Sequence, residues 1–374
     1  MSRAPASRGR PPGPPAAGRG PGPPAAGPDP AFRDWAGQAA AALQRWYRPR
    51  TGLWKTAGWW NCANALTALI QHSQLTGERR YRHVIETTFA RAQRVNPGFS
   101  TEFYDDDGWW ALAWIAAFDL TGEARYLEAA RALFAGMAAG WDGTCGGGLW
   151  WTRGRTYKNA IPNELFLLVA GCLHRRAGSR GSGYLDWALR EWQWFAASGL
   201  IGPSGLVNDG LTAGCANNGG TTWTYNQGVI IGGLAVLHEI TGDGAYGAQA
   251  EAIAAAALRE LTVPPGILAE PGERRREPGR TGLRSRLRRR DGDLAQFKGI
   301  FVRNLYQLYL RSPRPQYRDF ILANATSLWR NSRNRRNQIG LAWTGPFDRA
   351  DAARQGSALD ALNAAVGVTA QAPG

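Results

Sequence analysis

Apolar residues recur along most of the chain at intervals of three and four, the spacing that gathers them on one face of a helix, and strand-type alternation is scarce. Ala and Leu dominate these stretches, and Gly or Pro punctuates them. The pattern predicts helices near 31–48, 59–75, 80–95, 107–120, 124–139, 158–176, 183–198, 223–240, 245–261, 293–311, 315–334 and 351–366. One phrase repeats: LTGERRY at 75–81, LTGEARY at 120–126 and ITGDGAY at 240–246. In each, a Gly provides a helix stop and a Tyr opens the next helix. Weaker copies are GSGYLDW around Tyr184 and RPQYRDF around Tyr317, and the spacing between these tyrosines is that of a helical hairpin plus its loops.

Twelve helices make six hairpins, and six hairpins can close into a ring. The expected fold is therefore all-α, an (α/α)6 toroid in one domain over 31–370, with the second helix of each hairpin inside. The copies are too irregular in length for a plain open array. Two stretches fall outside the pattern. Residues 1–30 hold ten Pro, six Gly and six Ala and read as a disordered tail. Residues 271–290 are Arg-rich, contain Pro and Gly, and read as a mobile loop with a solvated charge run.

Charge changes the picture less than its size suggests. The net charge is +15, which points first to nucleic acid. Segments 1–30, 270–290 and 311–336 carry all of it, at +3, +6 and +6, so the rest of the chain is neutral. Lys occurs only at 55, 158 and 298, and a cation set made almost entirely of Arg fits a GC-rich coding sequence. No apolar run is long enough to span a membrane. The first 30 residues lack the apolar core of a signal peptide, so the sequence by itself points to a protein that is not exported by that route. Of the four Cys, Cys62 and Cys172 sit in helical patterns and read as free thiols, whereas Cys145 and Cys215 lie in Gly-rich loops and can pair. No Cys or His spacing suits zinc, so no metal or cofactor is expected.

The unusual residues gather where the inner helices begin. The phrases are Trp59-Trp60-Asn61-Cys62-Ala63-Asn64, Tyr104-Asp105-Asp106-Asp107-Gly108-Trp109-Trp110, Tyr157-Lys158-Asn159, Trp223-Thr224-Tyr225-Asn226-Gln227 and Gln296-Phe297-Lys298-Gly299. In a closed ring the inner helices run the same way, so these phrases meet at one mouth. Aromatic faces and fixed amides suit a polyhydroxylated ligand, while nucleic acid would want the Arg runs there. Asp105-Asp106-Asp107 has three readings. Asp at a helix start caps backbone N–H groups, which suits Asp107 but does not need three acids. Calcium-type ligation wants alternate spacing, which is absent. Glycosidic cleavage wants two carboxyl groups about 5–5.5 Å apart for a retaining enzyme, and neighbouring residues can meet that. The four His fall inside or late in helices and read as structural or surface residues.

At this point the motifs resemble those of glycoside hydrolase family 76, the α-1,6-mannanases. YDDDGWWALAW at 104–114 is similar to the family signature, and WWNCANAL, GGLWW with YKNAIPNELFLL, NNGGTTWTYNQGV, GDLAQFKGIFVRNL and QGSALDALNAAV follow in family order over roughly 31–367. The resemblance implies the (α/α)6 fold and retaining cleavage of α-1,6-mannosidic bonds. It implies Asp105 as nucleophile and Asp106 as general acid/base; a register one residue later would give Asp106 and Asp107, and Tyr104 favours the earlier one. The substrate would be an α-mannan or mannosylated glycan bound by a monomer. Expected binding residues are Trp59, Trp60, Asn61, Asn64, Tyr104, Trp109, Tyr157, Lys158, Tyr225, Asn226, Gln227 and Lys298, with Trp151 as a further stacking face. For each amide a satisfied buried network is the alternative, and for each Lys a salt bridge. Members of the family are often exported, and the Arg-rich loop could line the mouth and favour an anionic glycan. Competing functions are a transglycosidase on the same fold, an epimerase, a non-catalytic glycan-binding protein and a nucleic-acid binder. An epimerase would want His at the mouth, where none is placed.

Overall fold

The computed structural model describes residues 30–177, 182–274 and 284–370. Thirteen α-helices lie among them: Pro30–Leu43 (α1), Trp59–Thr76 (α2), Arg82–Ala92 (α3), Tyr104–Thr121 (α4), Ala124–Ala138 (α5), Ala160–His174 (α6), Ser182–Ala197 (α7), Thr224–Thr241 (α8), Gly244–Glu260 (α9), Pro271–Arg274 (α10), Arg284–Tyr309 (α11), Pro315–Asn331 (α12) and Ala352–Ala370 (α13). Setting aside the single turn α10, these are the twelve helices that the periodicity predicts. The tail expected over 1–30 lies outside the described residues except for Pro30, as do 275–283 of the expected Arg-rich loop.

The inner helices close a ring: α2 packs on α4, α4 on α6, α6 on α8, α8 on α11, α11 on α13, and α13 back on α2. The others form an outer layer, with α5 against α4, α7 against α6, α9 against α8, α12 against α13, and α1 against α13 and α2. Burial follows from this. α13 is buried on every side from Ala352 to Val368, and α8 from Asn226 to Leu237, as a helix enclosed by neighbours requires. Outer α3 and α9 bury only one face.

The recurrent phrase has the same job each time. Gly77, Gly122 and Gly242 take left-handed φ of 73°, 75° and 72° and end α2, α4 and α8. The preceding Thr76, Thr121 and Thr241 hydroxyls each donate to a carbonyl four residues back and accept from the N–H two residues on. These connections are tight. The connections running the other way, from outer to inner helix, are long, and they carry two small antiparallel ladders, Tyr47–Arg48 with Leu53–Trp54 and Thr262–Val263 with Ile267–Leu268. The long loops therefore crowd the end of the ring where inner helices start.

Two boundaries differ from expectation. α4 begins at Tyr104 rather than near 107, so the three Asp lie inside its first turn. No side chain caps it; the Trp151 carbonyl accepts the Tyr104 N–H at 2.9 Å, and a neighbouring loop replaces the expected Asp cap. α11 begins at Arg284 rather than 293, so the last part of the expected loop is helical. The run from Leu283 to Arg290 contains no Gly or Pro, and Arg is a good helix former.

Ring closure demands close backbone approach. A Cβ on Gly299 would lie 2.5 Å from the Ser357 Cα, between α11 and α13. Gly299→Ala is expected to destabilise the protein by about 2–3 kcal/mol through overpacking, measured as a lower midpoint of urea unfolding at unchanged m-value.

Buried acids give the fold a pH signature. Glu191 on α7 is fully buried, accepts only the Trp141 indole N–H, and is pushed up to about 8 by burial. Glu270 is likewise pushed up to about 7 by burial. A carboxyl raised in the folded state adds stability below its unfolded value near 4.5, and that stability is lost as pH rises through the folded value. The melting temperature should therefore be lower at pH 8.5 than at pH 5, and Glu191→Gln should raise it at pH 8.5 only.

Candidate active site

The starts of α2, α4 and α8 and the third and fourth turns of α11, with the loops before α4, α6 and α8, surround a cleft of about 550 Å³. Its aromatic wall is continuous. Trp109 stacks on Trp60 at 5.8 Å, Trp60 on Phe297 at 6.0 Å, and Phe297 on Tyr225 at 3.8 Å, so four inner helices each contribute one ring. A second group, Phe103, Trp151 and Tyr157, lines the cleft from the loops, with centroids 5.1 Å and 6.4 Å apart. Such rings suit the C–H faces of sugars.

Four carboxylates line the same cleft: Asp105, Asp106, Asp209 and Asp293. No cation does so among the described residues. Asp293 accepts the Trp60 indole N–H at 3.1 Å, and Asp209 accepts the Tyr157 hydroxyl at 2.6 Å. Asp106 is buried and accepts the Thr101 hydroxyl at 2.7 Å. Burial pushes it up to about 6, helped by the charges of Asp107, Asp293 and Glu102. Asp105 is also pushed up, first by burial and then by the Asp106 charge, while a bond with the Trp151 indole and nearby backbone N–H groups favour its anion. Two such neighbours do not ionise together readily, so the pair holds one proton over the middle of the pH range. Asp107 belongs elsewhere. It is fully buried and salt-bridged at 2.8 Å to Arg153, whose guanidinium covers the Tyr104 ring.

Of the residues singled out in the sequence, Trp59, Trp60, Asp105, Asp106, Trp109, Tyr157 and Tyr225 line the cleft, as does Trp151. Seven others do not. Gln227 grips the Val207 peptide with both ends of its amide, at 2.7 and 2.8 Å. Asn61 bonds Gly58 and Gln296, and Asn64 bonds Arg303 and the Trp60 carbonyl. Lys158 is buried under a loop, held by Asp142 and three carbonyls, and Lys298 pairs with Glu273 and the Leu341 carbonyl. Tyr104 packs beneath Arg153, and Asn226 is fully buried with neither amide atom partnered. The reason is common to most of them. Long loops at inner-helix starts bring unpaired backbone groups indoors, and amides and ammoniums there satisfy them. Asn163 repeats the grip on Leu149, and Gln355 accepts the Ile339 N–H while donating to the Ala39 and Asn337 carbonyls.

Asp209, Asp293, Phe103 and Thr101 were not found by sequence reasoning. Asp209 is a single acid in a Gly- and Asn-rich loop with no periodic signal, and Asp293 follows the Arg-rich run that masks it. The side chains of 274–291 lie outside the described residues, so the expected contribution of that segment to the mouth does too.

An aromatic cleft around paired carboxylates at the mouth of an (α/α)6 ring is the arrangement of a carbohydrate-active toroid. The chain belongs to glycosyl hydrolase family 76, whose sequence profile matches residues 34–373. A mannan endo-1,6-α-mannosidase of Saccharomyces cerevisiae is 35% identical over 159 residues, 38% of this chain and 35% of that one. Its counterpart in Candida glabrata is 30% identical over 206 residues, 49% of this chain and 46% of that one. The matches thus span between a third and a half of those relatives' length. Among solved structures, an inactive variant of an α-1,6-mannanase of Salegentibacter sp. HEL1_6, with two consecutive aspartates replaced and α-1,6-mannotetraose bound, superposes with a TM-score of 0.77. It is 25% identical, and the match covers 90% of this chain and 99% of that one. A Listeria innocua protein superposes at 0.76 with 26% identity, covering 89% and 96%.

Proposed function

We propose that this protein is a retaining glycosidase that cleaves α-1,6-linked mannose chains, with Asp105 as nucleophile and Asp106 as general acid/base. The observation that carries the reading is the adjacent carboxyl pair within an aromatic cleft that no cation lines among the described residues. The relatives named as α-1,6-mannosidases supply the linkage, and the loss of two consecutive aspartates in the inactive relative supports the role of such a pair.

The mechanism assigns the proton to Asp106, which Asp107, Asp293 and Glu102 surround with negative charge; burial raises Asp105 too, and the Trp151 indole and backbone N–H groups are the donors that hold its anion. The Asp105 carboxylate attacks the anomeric carbon while Asp106 gives its proton to the leaving oxygen. A mannosyl–Asp105 ester forms and the glycosidic C–O bond breaks. Asp106, now ionised, takes a proton from water, and the hydroxide oxygen displaces Asp105 with a second inversion. Stacked rings hold the sugars, and Asp209 and Asp293 accept hydrogen bonds from their hydroxyls.

Incubation with linear α-1,6-mannan and with α-1,4- and α-1,2-linked mannans tests this. Selective release of α-configured reducing ends from the α-1,6 chain is expected, read by proton NMR before mutarotation. Release of β-configured ends, or no preference among linkages, would refute it.

A further inference from the structure

Lys158 lies outside the cleft, yet it is the hub of the loops that build one side of it. Its ammonium is nearly fully buried and is held by the Asp142 carboxylate at 2.9 Å and by the carbonyls of Thr144, Gly147 and Gly148 at 2.7, 2.6 and 2.9 Å. This loop cannot hold itself by regular backbone pairing, because four successive residues, Cys145 to Gly148, have positive φ. It has turn-type backbone bonds, from Gly146 to Gly143, Gly147 to Thr144 and Asp142 to Gly148, and three of its carbonyls also converge on one cation. The loop runs directly into Trp150 and Trp151, and the Trp151 N–H donates to the Tyr157 carbonyl at 2.7 Å.

The Lys158 backbone reaches the other way. Its carbonyl accepts the Leu211 N–H at 2.9 Å, joining it to the turn 211–217. Cys215 in that turn is bonded to Cys145 in the first loop. At the base of the turn, Asn218 donates to the Tyr157 hydroxyl at 2.9 Å, and that hydroxyl donates to Asp209. The two loops are thus joined twice, inside by Lys158 and outside by the disulfide, and the joined block carries Trp151, Tyr157 and Asp209 into the cleft.

We propose that Lys158 and the Cys145–Cys215 disulfide are positioning residues, which lock loops 142–148 and 208–220 into one block and so set the affinity of the cleft for its glycan chain. The block meets the sugars through Trp151 and Asp209 and reaches the reacting carboxyls only through the Trp151 indole on Asp105, which backbone N–H groups also hold, so loosening it weakens substrate binding more than turnover. This rests on the proposed α-1,6-mannan reading. Cys215 is exposed, so a reductant can reach the bond.

The test is kinetics on α-1,6-mannotetraose before and after dithiothreitol, with thiol counting to verify reduction and hydrogen exchange to map it. Reduction should raise KM about fivefold or more and change kcat less than about twofold. Re-oxidation should restore KM, and Cys145→Ser/Cys215→Ser should show the high KM with or without reductant. Lys158→Met should raise KM further. Exchange should accelerate in 142–148 and 208–220 while the inner helices stay protected. An unchanged KM after verified reduction, or a fall in kcat at constant KM, would overturn the proposal. So would loss of protection throughout the inner ring, since the disulfide would then serve the fold rather than the wall. If the untreated protein cleaves no α-1,6-mannan, the functional reading fails alone. The exchange pattern then judges the clamp by itself, and unaltered protection in the two loops overturns it.

Discussion

Asp105→Asn and Asp106→Asn are each expected to fold normally and to lose on the order of a thousandfold or more in turnover on α-1,6-mannan, because nucleophile and acid/base act as a unit whose losses do not add. Asn keeps the shape of Asp and removes the charge. The two variants should part under azide. On a mannoside with a good leaving group, Asp106→Asn still forms the mannosyl ester, since that departure needs no proton. Azide then intercepts the ester and gives an α-mannosyl azide. In Asp105→Asn the anion attacks the substrate directly and gives the β product. Product configuration by NMR therefore assigns the roles, and exchanged products would reverse them. Asp107→Asn should behave differently. Its carboxylate is turned into a salt bridge with Arg153, so the loss should fall on stability, by about 1–3 kcal/mol, rather than on chemistry. If Asp107→Asn retained full stability and lost all turnover, the catalytic pair would be Asp106 with Asp107.

On the alkaline side, kcat/KM for α-1,6-mannan should fall tenfold per pH unit above roughly pH 6. The sign follows from the proton inventory. Asp106 is pushed up from 3.8 to about 6 by burial and by neighbouring carboxylates, and only its protonated form can donate to the leaving oxygen. As pH rises through that value the acid is lost. Removing Asp293 by Asp293→Asn takes away one of the charges that hold the proton, so the descending limb should move to lower pH. A mannoside whose leaving group departs without a proton should show a flat alkaline limb for the first step. A limb that persists with that substrate would place the titration on another group.

The helices, their pairing and the closed ring were legible in the sequence because each signal is local. Periodicity fixes the elements, the Gly after Leu-Thr or Ile-Thr fixes the stops, and their spacing fixes the hairpin count. The Asp105-Asp106 pair and the rings Trp59, Trp60 and Trp109 were legible for the same reason, being neighbours in the chain at an inner-helix start. What the tertiary structure alone decided is which polar groups face the ligand. Asn61, Asn64, Gln227, Lys158 and Lys298 have the chemistry of sugar-binding residues, but Asn61 and Asn64 turn to the Gln296 and Arg303 side chains of α11, and Gln227, Lys158 and Lys298 to backbone groups or counter-charges brought alongside from distant parts of the chain. Asp209 and Asp293 had no local signature and become cleft residues only because ring closure carries them beside Tyr157 and Trp60. A residue type states what a side chain can bond. Which partner it bonds depends on what folding buries next to it, since a buried polar group takes the partner at hand rather than go unpaired.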